Sequence, residues 1–174
     1  MKTRILCLIL ACTCVASWAQ SPVTSVSSVD LVRYSGKWFE IASFPMFFQR
    51  HCVADTTAHY SAGLDGSISV QNRCRTQAGT EEATGRATVV EGFGNSRLRV
   101  SFFWPFKGDY WVLGLDPQYR WAVVGNPNRE YLWVLSRTPQ LPPALLEDAL
   151  ASARNQGFDL ARLRYTPQDT NVQP

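Results

Sequence analysis

The feature that most constrains this chain is a succession of short apolar or alternating runs broken repeatedly by Gly, Pro, Asn and Asp. The runs are Gly36 to Ser43, Val53 to Ser61, Ser67 to Arg75, Gly85 to Glu91, Arg97 to Phe102, Asp109 to Leu115, Arg120 to Val124 and Tyr131 to Ser136. Short strands separated by regular turn signals predict an all-β sandwich or barrel. Eight of them closed up-and-down would make a barrel whose interior just admits one small ligand, with no edge left to pair with another chain. After the last run, Pro142-Pro143 opens a stretch in which Leu145, Leu146, Ala149, Leu150 and Ala153 share one helical face, and Gly157 ends it. That stripe is read as packing against the outside of the sheet. The run Leu160 to Tyr165 is expected to add a short strand beside the first.

The N-terminus has a basic start (Lys2, Arg4), an apolar run from Ile5 to Ala16 and small residues at Ser17 and Ala19. This reads as a secretory signal peptide over 1–19, and the apolar run is well short of the roughly 20 residues a membrane span needs. A lipoprotein leader acylated at Cys12 is the alternative. The remaining divisions are a flexible N-terminal segment at 20–29, one barrel domain at 30–165 and a flexible tail at 166–174. Without Lys2 and Arg4 the chain carries 15 basic against 14 acidic residues, a net charge of about +1. The basic residues are scattered and not stacked, so no nucleic-acid partner is expected. Three of the five cysteines lie in the leader, which leaves Cys52 and Cys74; export and an even count predict a disulfide between them.

Two segments about a hundred residues apart, Ser35-Gly36-Lys37-Trp38-Phe39-Glu40-Ile41-Ala42 and Tyr131-Leu132-Trp133-Val134-Leu135-Ser136-Arg137, resemble the lipocalin signature. The resemblance covers nearly all of the chain after the leader and is closest to bacterial outer-membrane lipocalins and apolipoprotein D. It implies an all-β fold, an eight-stranded up-and-down antiparallel barrel with one C-terminal α-helix packed outside. It also implies a structural floor in which Gly36 opens the first strand, Trp38 plugs the closed end and Arg137 lies across the indole. The second family signature is weakly kept, since Leu115-Asp116-Pro117-Gln118-Tyr119 preserves only the aspartate in place.

Strand alternation anchored on Trp38 and Arg137 turns Glu40, Ala42, Tyr131, Trp133 and Leu135 inward. The resemblance adds Tyr60 and Asn72 to the ligand cavity, and Phe102 and Tyr110 are further candidates. Ligand-binding candidates are therefore Glu40, Tyr60, Asn72, Phe102, Tyr110, Tyr131 and Trp133. Glu40 would contact a head group or be held by Asn72, Tyr60 or buried water, because a carboxylate in an apolar barrel is costly alone. In an up-and-down barrel the first, third, fifth and seventh loops share a rim. Two of these, around Phe47-Phe48 and Trp104-Pro105-Phe106, are aromatic where loops are normally polar. They read as a greasy mouth for a lipophilic guest, with membrane-surface contact through Phe47, Phe48, Trp104 and Phe106, or as side chains folded in to cap the core.

Catalysis is not expected. His51 falls in a loop and His59 faces out, no metal set or cofactor is called for, and pairing Cys52 with Cys74 leaves no cavity thiol. The resemblance to bacterial lipocalins implies a carrier that binds a fatty acid or lysophospholipid for envelope lipid storage or transport, a monomer or weak dimer exported to the periplasm or outer membrane of a bacterium. An interaction protein docking or dimerising through the aromatic rim is the alternative.

Overall fold

Period-two alternation around a closed ring of hydrogen bonds organises the computed structural model, which describes residues 20–63 and 65–169. The signal-peptide reading, Cys12 and the last five residues of the tail lie outside the described residues. A single helical turn, α1 (Leu31–Tyr34), precedes strands β1 (Gly36–Ser43), β2 (Ala54–Ala62), β3 (Ile68–Thr76), β4 (Gly79–Val89), β5 (Arg97–Phe103), β6 (Phe106–Leu115), β7 (Trp121–Gly125) and β8 (Leu132–Ser136). Helix α2 (Pro143–Asn155) and a two-residue strand β9 (Arg164–Tyr165) follow. Neighbouring strands pair antiparallel from β2 through β8 to β1, and β1 pairs back with β2, so the barrel is closed. As expected, β9 lies beside β1, with Ala42 opposite Tyr165.

Two strands start earlier than the sequence suggests. β4 begins at Gly79, so the third loop shrinks to a tight turn and Thr80 to Thr84 extends the ladder with β3. This stretch is exposed on both faces, so its apolar alternation is absent, and backbone pairing holds it together with the contacts of Glu82 to Arg73 and Gln71 on β3. β6 likewise begins at Phe106, which leaves a hairpin tip of two residues, Trp104 and Pro105.

Two apolar clusters divide the molecule. One fills the barrel around Trp38, Tyr60, Val70, Leu98, Val112 and Leu135. The other lies between the barrel wall and α2, where Leu113, Val123 and Val134 meet Ala149 and Ala153. Ser152 of α2 packs so closely on Gly114 that a Cβ there would lie 2.1 Å from its hydroxyl oxygen. Ala42 joins this helix-side cluster and does not face the lumen. The reason is a bulge in β1 between Glu40, opposite Leu135, and Ala42, opposite Val134, which shifts the alternation by one residue.

Both ends of the domain are tied down where the sequence suggests looseness. Residues 20–29 lie along the barrel as a strap. Val23 and Val29 are buried, Val26 N–H donates to Val112 C=O and Val29 N–H to Gly94 C=O. At the start of the strap, Gln20 Nε2 donates to Gly157 C=O at 3.0 Å, and Arg129 Nη2 donates to Ser21 C=O. The described part of the tail, 166–169, is also bonded into the wall: Thr166 N–H donates to Ile41 C=O, and Gln168 Nε2 donates to the carbonyls of Glu40 and Thr56 at 2.8 and 2.9 Å.

At the closed end, Asp116 is buried and accepts a two-pronged bond from Arg120, at 2.7 and 2.9 Å, besides the N–H groups of Gln118 and Arg120. These donors hold its carboxyl below the usual range. Tyr119 accepts from Asp30 N–H at 2.9 Å. The one matched residue of the weak second signature thus braces the turn between β6 and β7.

Candidate functional site: a closed floor, an apolar inner wall and an aromatic rim

The floor brings Gly36, Trp38 and Arg137 together. The Arg137 guanidinium lies 3.8 Å above the Trp38 ring and donates to Lys37 C=O at 2.9 Å and to Arg33 C=O. Gly36 adopts φ 93°, and a Cβ at that position would stand 3.5 Å from Arg137 Nη1, so the left-handed backbone is the stronger reason for glycine. Trp38 Nε1 donates to Tyr34 C=O at 2.8 Å.

Tyr34, absent from the sequence-based candidates, completes the floor from α1. Its hydroxyl lies 2.8 Å from Tyr110 Oη, which in turn donates to Tyr60 Oη at 2.8 Å. Burial pushes Tyr60 up to about 12 and raises Tyr34 and Tyr110 well above the ordinary phenol value. The three hydroxyls therefore stay neutral and bridge α1, β2 and β6. The only signal in the sequence is the position of Tyr34, directly before the Ser35-Gly36 opening of the floor motif.

Above the floor the inner wall is apolar and only partly buried. Phe102, Tyr110 and Trp133 pack on the barrel cluster yet keep some exposure, and Phe102 occupies the space that a side chain at residue 85 would need, 2.8 Å from a Cβ on Gly85. Asn72 sits opposite Ala58, two residues from the pair Tyr60 and Val70, and so shares their inward face. Neither its amide nor the Trp133 indole N–H makes a hydrogen bond among the described residues. Tyr131 stacks on Trp133 with centroids 6.0 Å apart, and Phe48 from the first loop meets Tyr131 at 5.7 Å. The structure thus places Tyr60, Asn72, Phe102, Tyr110 and Trp133 on the inner face of the barrel, with Tyr131 stacked on Trp133.

Glu40 is placed differently. It is buried, and its carboxylate accepts from Gln49 Nε2 at 2.6 Å, Thr166 Oγ1 at 2.5 Å and Ser43 Oγ at 3.1 Å. It is not held by Asn72 or Tyr60. It lines a cavity of about 230 Å³ between the first loop, the start of β2 and residues 164–167. Desolvation raises its pKa in spite of those three donors.

The rim is aromatic and open. Phe47, Phe103, Trp104 and Phe106 are 74%, 75%, 89% and 76% exposed, and Phe48 is 55% exposed. These side chains do not fold in to cap the core. Cys52 and Cys74 are bonded, with Cα atoms 5.5 Å apart, which pins the first loop to β3. A bulge beside Asp55, which has φ 55°, absorbs the register mismatch between the two cysteines. His51 and His59 are both exposed. Among the described residues no group of three His, Cys, Asp or Glu could hold a metal ion, and no helix is long and apolar enough to cross a membrane.

Comparison with known proteins agrees with this architecture. Residues 29–168 match the family model described as a lipocalin-like domain. The chain is 41% identical to the outer membrane lipoprotein Blc of Vibrio cholerae, over 94% of this chain and 96% of that protein. It is 32% identical to apolipoprotein D of Bos taurus, over 80% and 77% of the two chains. Among solved structures, insecticyanin from the tobacco hornworm Manduca sexta superposes with a TM-score of 0.68 at 19% identity, covering 83% of each chain.

Proposed function

This chain belongs to the lipocalin family, whose members bind lipophilic small molecules, and we propose that it takes up a single-chain lipid, a fatty acid or lysophospholipid, for storage or transport in the bacterial envelope. The observation that carries this reading is the inner wall of Phe102, Tyr110, Tyr131 and Trp133, apolar and still reachable by solvent above a sealed floor. Each methylene buried there contributes about 0.8 kcal/mol. A long acyl chain therefore gains enough to offset the cost of ordering it. Asn72 and the Trp133 N–H, both without partners among the described residues, are the groups that orient a polar head.

The rim extends the proposal. Phe47, Phe48, Trp104 and Phe106 meet the membrane surface from which the lipid is drawn, with Lys107 beside them for anionic head groups. The relatives named as outer membrane lipoproteins support an envelope location. The same exposure supports a second reading, docking or dimerisation through the rim.

Native mass spectrometry of protein purified from its own host, with extracted small molecules identified, tests the carrier. A stoichiometric acyl lipid is expected, and Trp133→Ala should weaken its binding by at least about tenfold, roughly 1.4 kcal/mol of lost indole contact, while the barrel stays folded. A clean unliganded mass, with no quenching of tryptophan fluorescence by added fatty acid or lysophospholipid, would sink the carrier reading. Concentration-dependent dimerisation abolished by Trp104→Ser would then favour the rim.

A further inference from the structure

We propose that Glu40 is a positioning residue for ligand exchange: its buried carboxylate ties the mouth loop to the C-terminal segment, so that the two move together as one lid over the lumen. This rests on the carrier reading. Strand β1 pairs with β2 only from Gly36 to Phe39. Beyond that point the two strands separate, and residues 164–169 enter the gap. Tyr165 pairs with Ala42, Thr166 N–H donates to Ile41 C=O, and Asp55 N–H donates to Pro167 C=O at 2.8 Å. Gln168 bridges the carbonyls of Glu40 and Thr56 across the same gap. The segment is a wedge in the barrel wall.

Glu40 sits where wedge and mouth loop meet. Its Oε1 accepts from Thr166 on the wedge and Ser43 at the end of β1, and its Oε2 accepts from Gln49 on the mouth loop. One residue before Gln49, Phe48 contacts Tyr131, which stacks on Trp133. The connection therefore runs from Thr166 through Glu40 and Gln49 to the ring that covers the lumen wall. Beneath it lies the cavity of about 230 Å³, whose lining includes Met46, Gln49 and Thr56. Thr56 Oγ1 is buried without a hydrogen-bond partner among the described residues. An under-packed space with an orphaned hydroxyl lets the loop shift without forcing side chains into a filled core. Arg50 and Arg164 line the same cavity but make no ion pair with Glu40, so the link is made of hydrogen bonds alone.

The test uses the whole exported protein, with stopped-flow release of a fluorescent fatty acid and amide hydrogen exchange without ligand. Thr166→Val removes one bond to Glu40 and touches no residue of the mouth loop. It should speed release by about tenfold, the usual weight of one such bond, and raise association as well, so that Kd moves less than either rate. It should also speed amide exchange over 45–51, and Thr166→Ser should restore wild-type behaviour. Gln49→Ala, which cuts the other end, should act in the same way and serves if the valine variant folds poorly. Unchanged release and unchanged loop exchange in folded Thr166→Val would overturn the proposal. Failure of the wild type to bind the probe would instead count against the carrier reading, and loop exchange would still decide the lid.

Discussion

Replacing Arg137 by methionine isolates what the floor contributes to the barrel. Methionine keeps an unbranched apolar stem over the Trp38 ring and removes the charge and its donors. The lost interactions are a guanidinium 3.8 Å over the indole and bonds to the carbonyls of Lys37 and Arg33. The cation–π contact at a half-exposed site is worth about 1 kcal/mol, and each bond about 1 kcal/mol once solvent competition is allowed for. The expected loss is about 3 kcal/mol. A domain of roughly 150 residues unfolds with an entropy near 0.3 kcal/mol/K, so the melting temperature should fall by roughly 10 °C. Arg137→Lys, which keeps the charge but not the planar fork, should lose about half as much. Calorimetry on the three proteins, with urea melts to check that the m-value is unchanged, measures this. A methionine variant melting within about 3 °C of wild type would refute the reasoning and leave Trp38 burial alone to hold the closed end.

Two further perturbations have clear signs. Reducing the Cys52–Cys74 bond, which closes a separation of 22 residues, should cost about 3 kcal/mol on the chain-entropy model; an unchanged melting temperature, with free thiols confirmed by titration, would mean that the link is slack. For Glu40, burial raises the folded pKa above the ordinary 4.5, so the folded protein binds the proton more tightly than the unfolded chain. Its stabilising share is fully present below the unfolded pKa and is lost as pH climbs through the folded value. The stability of Glu40→Gln relative to wild type should therefore grow as pH rises past 4.5 and then level off, whereas parallel pH profiles would show that the donors from Gln49, Thr166 and Ser43 balance desolvation, and the reverse trend that they outweigh it.

What was legible in the sequence depended on the kind of interaction each residue makes. Gly36, Trp38 and Arg137 could be placed because a left-handed glycine, a plugging indole and a covering guanidinium are demanding and local to two motifs. The inner strands could be placed because one face is apolar. The first half of β4 could not, since Thr80, Glu81, Glu82 and Thr84 meet solvent and only backbone pairing reveals them. The part of the wedge beyond Tyr165 was missed for a related reason: Thr166 and Gln168 hold it through hydrogen bonds, and a polar terminal stretch looks frayed. The strap at 20–29 is anchored by Val23, Val26 and Val29 among serines, too sparse a pattern to read as a packed edge. Alternation carried Glu40 into the lumen on paper, and it does stand opposite Leu135, but its partners at Gln49, Thr166 and Ser43, which the sequence did not reveal, hold its carboxylate in the wall.

The strap also sets how the molecule takes mechanical load. Gln20 and Ser21 are fastened to Gly157 and Arg129, and Arg129 lies in the connection between β7 and β8, on the rim that carries Phe48 and Tyr131. A pull on the chain at Gln20 is met first by these bonds near the mouth, before it passes along the strap to Val26, Val29 and the floor. Traction from that end would turn the opening toward its source like a bucket hung by its lip.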